Sequence, residues 1–228
     1  MGQKELATVG EAESGRCTVR ATIILTGNLK DVWFNDNGPA KTLLVETHYI
    51  EQTTGQLFKT NHKVDLWGGY ADNFTGERGD HLTVVGNISL RRFQTSSGEN
   101  RRAATIQPTQ IFVIPESDIF NNQVDLVGIA KGTRAFITKS QTPGIEIDVQ
   151  VSLPNQKGEY FHAYYKVVVF GPEALTLNSK IDIGKMMMVG GRLSYQRDFS
   201  PYIIAEPQTW LSLGTKPKHP MPQNQEVA

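Results

Sequence analysis

Three short segments of the chain set aromatic rings among cations at alternating positions. In Lys63-Val64-Asp65-Leu66-Trp67 the apolar Val64 and Leu66 alternate with Lys63, Asp65 and Trp67. An extended chain sends successive side chains to opposite faces, so Val64 and Leu66 are expected to point into a core while Lys63, Asp65 and Trp67 share the outer face. Further along, Val167 and Val169 take the inner side, and Tyr164, Lys166, Val168 and Phe170 the other. Ile88 and Leu90 alternate with Ser89, Arg91 and Phe93 in the same way, with Arg92 beside them, while Tyr49 closes an earlier alternation and Arg101-Arg102 follow the Ser97-Gly98 turn. Exposed rings interleaved with Arg and Lys suit single-stranded nucleic acid, because each base stacks on a ring for ~1–3 kcal/mol and the cations track the phosphates. The plainer alternative buries the rings under loops or in a subunit interface and leaves the cations as a solvated sheet edge. Recurrence at matched positions favours stacking for Trp67 and Phe170. The expected contact set is Tyr49, Lys63, Trp67, Arg91, Arg92, Phe93, Arg101, Arg102, Tyr164, Lys166 and Phe170.

Catalytic chemistry has no comparable pattern. The five histidines, His48, His62, His81, His162 and His219, show neither i,i+4 nor H-x-H spacing, which metal sites favour. Cys17 is the only cysteine, so neither an internal disulfide nor a cysteine zinc cage can form. Gly184-Lys185 lacks the glycine frame and following Ser/Thr of a phosphate loop, and no G-x-S-x-G stretch occurs,. Glu51, Asp65 and Asp72 read as surface charge. No enzyme activity and no cofactor are expected. Lys+Arg and Asp+Glu both number 23, which counts mildly against a clamp driven by phosphate charge alone but leaves room for a local basic groove.

The elements that must hold these segments come in duplicate. Lys63-Val64-Asp65-Leu66-Trp67-Gly68 recurs as Lys166-Val167-Val168-Val169-Phe170-Gly171, Val84-Val85-Gly86-Asn87-Ile88 as Val189-Gly190-Gly191-Arg192-Leu193, and Leu25-Thr26-Gly27-Asn28-Leu29-Lys30 loosely as Leu126-Val127-Gly128-Ile129-Ala130-Lys131. Three matches in one order indicate two homologous domains, spanning roughly 18–114 and 122–213. In the first copy, strands are expected over 19–25, 42–49, 58–67, 82–93 and 103–114, separated by Gly, Asn and Asp turns. Short helices are expected over 70–74 and 172–178, the latter opened by Pro172. Five strands with one short helix between the third and fourth is the OB-fold order, so the fold class is all-β, two tandem OB barrels. An immunoglobulin-like sandwich would need about seven strands per copy. Residues 1–17 and 214–228 read as flexible tails. The N-terminus has no apolar signal core, and no run approaches the ~20 residues that span a bilayer, so a soluble intracellular protein is expected.

The second copy, with Val167-Val168-Val169-Phe170-Gly171, a short helix, Ile183-Gly184-Lys185 and Val189-Gly190-Gly191-Arg192-Leu193, resembles the bacterial single-stranded DNA-binding protein family, and the first adds the similar Leu25-Thr26-Gly27-Asn28-Leu29 opening. The resemblance implies coating of unpaired DNA in replication, recombination or repair; RNA is a further possibility, since stacking tolerates either sugar. The resemblance also implies four OB domains per assembly, hence a homodimer of this chain, and a cytoplasmic, nucleoid-associated location. By position, Tyr49, Trp67 and Phe93 match the family's stacking rings in copy one, whereas Asn61 stands where a ring is expected. In copy two Tyr164 and Phe170 match, and Ser152 and Asp198 replace the others. Asp65 departs from the pattern and is expected to weaken the local field. The first copy is therefore expected to contribute more than the second. The family's acidic C-terminal tip is absent from Gln223-Asn224-Gln225-Glu226-Val227-Ala228. A protein-interaction module with the same fold is the competing reading.

Overall fold

The computed structural model describes residues 20–35, 40–51, 54–95, 97–114, 117–154, 160–198 and 200–212. The ends expected to be flexible, 1–17 and 214–228, lie outside the described residues. The first barrel comprises β1 (Arg20–Phe34), β2 (Lys41–Ile50), β3 (Leu57–Leu66), helix α1 (Gly69–Asn73), β4 (His81–Gln94) and β5 (Asn100–Ile114). The second comprises β6 (Asn121–Ile137), β7 (Pro143–Pro154), β8 (Tyr160–Phe170), helix α2 (Pro172–Lys180), β9 (Met186–Tyr195) and β10 (Pro201–Ser212). Each closes the same way. β1 pairs with β2 and β4, β2 with β3, and β4 with β5, while the parallel contact Val64↔Ile106 shuts the ring. In the second barrel β8 and β10 make that parallel contact at Ile203↔Val167 and Ile204↔Val168. These are two OB barrels.

The expected strands sit within a few residues of the observed ones, apart from β1, expected to stop at Leu25 but continuing to Phe34. Gly27 and Asn28 fall beyond the expected end of the strand yet lie at a bend within β1. A side-chain carbon at Gly27 would lie 2.2 Å from the Glu46 carbonyl oxygen, and one at Gly128 2.6 Å from that of Gln150. Both strands then bulge, at Lys30 and at Lys131, where the pairing register shifts. Glycine and bulge together turn a long strand around a barrel. Gly86 and Gly191 let β4 and β9 approach β5 and β10 just as closely. The repeated glycines seen in sequence are thus the corners of two barrels. Each interior is filled by the inward set, Ile23, Leu25, Leu43, Val45, Val64, Leu66 and Ile88 in the first and Leu126, Ile145, Ile147, Val149, Val167, Val169 and Leu193 in the second, at ~1.5–3 kcal/mol for each large side chain buried.

The barrels are joined edge to edge. β1 pairs antiparallel with β6 from Arg20↔Val127 to Thr26↔Asn121, merging everything into one ten-stranded sheet. The equivalent residues Ile23 and Val124 meet at the centre of that pairing, so an approximate two-fold axis passes between them. On one side of it the Tyr165 hydroxyl donates to the Ile88 carbonyl at 2.7 Å. On the other, His62 stands in the place of Tyr165 and is too short to repeat the bond. Asn122 fills the gap: its amide donates to the Leu193 carbonyl at 2.8 Å and accepts from the Leu193 N–H at 3.0 Å. The same amide donates toward His62 Nε2 at 3.3 Å, which leaves the imidazole proton on Nδ1, 3.4 Å from the Tyr195 hydroxyl. Thr47 Oγ1 lies 3.0 Å from His62 Nε2. Desolvation pushes the His62 pKa down to about 3, so the seam is built around a neutral imidazole.

Candidate nucleic-acid interface

Residues directly opposite in neighbouring strands share a face, so the outer surface of each barrel can be read as rows across three strands. In the first barrel one row is Trp33, Thr42 and Asp65, and the next is Asp31, Leu44 and Lys63. Trp67 follows Asp65 by two residues on the same side and is 47% exposed. Arg91, from the outward set of β4, reaches over to Asp65. The second barrel repeats the layout with Arg134, Glu146 and Val168 in one row and Phe136, Gly144 and Phe170 in another. The Phe136 and Phe170 rings meet edge-on, centroids 5.9 Å apart. A side-chain carbon at Gly144 would lie 2.4 Å from the tip of Phe136, so glycine is what lets the ring lie down between the strands. Phe170 remains 38% exposed. Trp67 and Phe170 therefore stand at equivalent places of the two barrels, while the first strands add rings one row apart, Trp33 in the first barrel and Phe136 in the second, where Arg134 holds the place of Trp33.

Sequence placed Trp67 and Phe170 on these faces, and missed Trp33 and Phe136. The reason is the bulge in each first strand. Before it Ile23, Leu25 and Leu29 point inward; after it Val32 pairs with core Leu43, and Trp33 turns outward opposite Thr42. A one-residue slip flips every later side chain, and only the paired Gly27/Lys30 and Gly128/Lys131 signals hint at it. Lys63 was correctly placed, and its ammonium lies 5.8 Å from the Trp33 ring centre, a cation–π contact.

Other expected residues are distributed differently. Tyr49 belongs to the inward set of β2 with Val45 and Thr47, and beyond the barrel end that side faces the second barrel, where the Arg192 guanidinium lies 3.7 Å over its ring. Phe93 and Arg101 are paired across the β4–β5 hairpin on the Arg91 side, with Arg101 bonded to Glu99 at 2.8 Å. Arg92 and Arg102 are paired on the opposite side, from which Arg102 donates to the Tyr164 carbonyl at 3.4 Å. Thus Arg91 and Phe93 sit with Trp67's face, whereas Tyr49, Arg92 and Arg102 sit toward the seam. Tyr164 and Lys166 occupy the outer side of β8 as expected, both half-buried, opposite Gln150 and Asp148. Asn61 lies opposite Glu46, Ser152 is bonded to His162 at 2.9 Å, and Asp198 caps the β9–β10 turn through the Ser200 N–H, which lowers its pKa.

Two outward residues are not exposed as the alternation suggests. Val168 is covered, and Asp65 is buried. Asp65 accepts the Thr42 hydroxyl at 3.1 Å and faces Arg91 at 3.2 Å. The second contact is an ion pair without hydrogen-bond alignment, since that carboxylate oxygen has no directed donor. Asp65 therefore does not present bare negative charge to the surface; it lies beneath a guanidinium. Among the described residues no group of three or more His, Cys, Asp or Glu side chains is placed to hold a metal ion, and no helix is long and apolar enough to cross a membrane.

No protein-family model matches the sequence, and no curated protein matches it. Among solved structures, the wild-type single-stranded DNA-binding protein of Thermus aquaticus aligns with a TM-score of 0.69 at 20% identity, covering 89% of this chain and 97% of that one. A deletion mutant of the same Thermus aquaticus protein aligns at 0.68 and 19% identity, over 92% of this chain and 100% of the other. Over nearly its whole length, this tandem pair of OB barrels therefore shares the fold of the Thermus aquaticus single-stranded DNA-binding protein.

Proposed function

We propose that this chain binds single-stranded DNA along the outer faces of its two barrels, without catalysis. The observation that carries the reading is the recurrence of an exposed ring at one place in both barrels, Trp67 and Phe170, each barrel adding a half-buried ring from its first strand, Trp33 and Phe136, with Lys63, Arg91 and Lys166 beside them. Trp67 and Phe170 have no place in either core yet recur at equivalent points of both barrels, which suits bases, whose faces stack on such rings at ~1–3 kcal/mol each. The Thermus aquaticus proteins of the same fold are single-stranded DNA-binding proteins, which supports the reading. Tyr49, Phe93, Tyr164, Arg92, Arg101 and Arg102 extend the path along the hairpins and across the seam. Coating of unpaired strands in replication, recombination or repair, in the cytoplasm with the nucleoid, is the corresponding role.

Two chains make four barrels in this proposal. Support comes from the joined sheet, which leaves Ile24, Val85, Met188 and Ile204 half-buried on the side turned away from the barrel interiors, suited to a second copy. Titration with dT oligomers of ~30–60 nucleotides, followed by tryptophan fluorescence and light scattering, tests both points. Quenching with a dimer mass is expected. No quenching at low salt overturns the binding reading. RNA oligomers of matched length establish the preferred sugar.

One observation favours a second reading, a protein-interaction module. The β2–β3 and β7–β8 hairpins carry exposed Ile50, Leu57 and Phe58, and Tyr160 and Phe161. That reading requires a stable complex with a partner protein and indifference to oligonucleotides.

A further inference from the structure

The cations of the outer faces are layered over low-lying carboxylates. Glu46, Asp65 and Glu146 are outward residues whose side chains are only 12%, 4% and 15% exposed. Above Glu46 sit Lys30 at 3.7 Å, Lys59 at 3.6 Å and His48 at 3.1 Å. Above Asp65 sits Arg91 at 3.2 Å, and above Glu146 sit Lys166 at 3.0 Å and Arg134 at 3.2 Å. Burial opposes ionisation of Glu46, but the His48 bond and the charges of Lys30 and Lys59 outweigh it, and its pKa is lowered.

The arrangement recurs with different residues. Thr42 and Asp65 face each other across β2 and β3, and the equivalent pair in the second barrel is Glu146 and Val168. The carboxylate has changed strands, yet each barrel keeps one at the same spot of its face, under a cation. A carboxylate in that position supplies in advance the counterion that phosphate would otherwise displace.

We propose that Glu46, Asp65 and Glu146 hold down the phosphate affinity of the outer faces, so that duplex DNA, which has only phosphates to offer them, stays below measurable binding. This rests on the reading that the faces bind single strands. Affinity from phosphate contact arises as cations release counterions, with a salt slope of about −0.7 per neutralised phosphate on single strands and about −0.9 on duplex. Duplex DNA offers the outer faces phosphates but no base faces. A surface whose cations are already matched by internal carboxylates gains little from it. Single strands still gain by stacking on Trp33, Trp67, Phe136 and Phe170, so withholding charge leaves them a driving force that duplex DNA lacks.

The test compares the full-length wild type with Glu46→Gln, Asp65→Asn and Glu146→Gln, titrated with labelled dT oligomers and with a duplex of equal length across a salt series. Each substitution is expected to steepen the log–log salt slope by about 0.7 on single strands and about 0.9 on duplex. A slope change of that size gives about fivefold extra affinity on single strands for each tenfold drop in salt. Duplex binding, weak in the wild type, is expected to become measurable at low salt. Wild-type single-strand binding with unchanged slopes and unchanged duplex affinity in all three variants overturns the proposal. Absence of single-strand binding by the wild type overturns instead the reading it rests on. Glu46→Gln and Glu146→Gln retain the test if the more buried Asp65→Asn fails to fold, which circular dichroism reports.

Discussion

Replacing Trp67 by alanine isolates the stacking contribution. Trp67 follows the last residue of β3, two positions beyond Asp65, and 47% of the residue is exposed, which leaves it accessible to a base. Deletion removes one stacking platform, worth ~1–3 kcal/mol per base, which corresponds to a rise in Kd of about 5- to 150-fold. Because the ring lies outside the core, thermal stability is expected to fall by no more than ~1 kcal/mol, in line with surface substitutions rather than cavity-forming ones. Trp67→Phe keeps a π-face and is expected to recover most of the affinity. The assay is anisotropy of a labelled dT oligomer, which does not depend on the tryptophan being removed, with thermal melts in parallel. Phe170→Ala is expected to weaken binding of a long oligomer as well, and the joint variant to lose roughly the sum, since the two rings sit on separate barrels. Wild-type affinity in Trp67→Ala, with an intact melt, refutes the assignment of this face.

The seam offers an acid test. The neutral His62 imidazole has a folded pKa of about 3, against about 6.5 when unfolded. The unfolded chain binds the extra proton first, so stability is full above pH ~6.5 and is lost as pH falls toward 3, at up to about 1.4 kcal/mol per pH unit. Urea melts between pH 7.5 and 5 are expected to show this loss and His62→Gln to flatten it; equal slopes in both proteins contradict the buried neutral imidazole. Tyr165→Phe leaves the Ile88 carbonyl without its donor across the seam and is expected to cost ~1–3 kcal/mol, read as a lower midpoint in denaturant. Gly128→Ala drives a methyl to within 2.6 Å of the Gln150 carbonyl oxygen and the Val149 side chain, and a loss of ~1–3 kcal/mol is expected. An unchanged melt there would mean that β6 does not bend at this glycine.

The outward faces that make up the candidate site were legible because their logic is local. Val64 and Leu66 declare the inner side of β3 by themselves, and Trp67 and Lys63 follow by parity. Parity along one strand does not reach what depends on longer range. Trp33 and Phe136 became outward residues only through the bulges at Lys30 and Lys131, each of which shifts one strand by one residue against its neighbour. Asp65 reads as a surface acid in sequence, and it is the distant Arg91 and Thr42 that make it a buried anchor. Tyr49 reads as a ring at a strand end, and nothing along β2 shows that Arg192 of the other barrel lies over it.

Two barrels are written into the chain locally, because inward valines, repeated glycines and strand order are encoded within each copy and recur at matched spacing. The tertiary structure alone decided that β1 and β6 fuse them into a single sheet, that His62 and Asn122 fill on one side of the axis what Tyr165 fills on the other, and that each outer face sets its cations over a carboxylate. These features depend on residues from strands far apart in the chain meeting at one point. Alternation along a single strand carries no information about which partner strand will face it, or in what register.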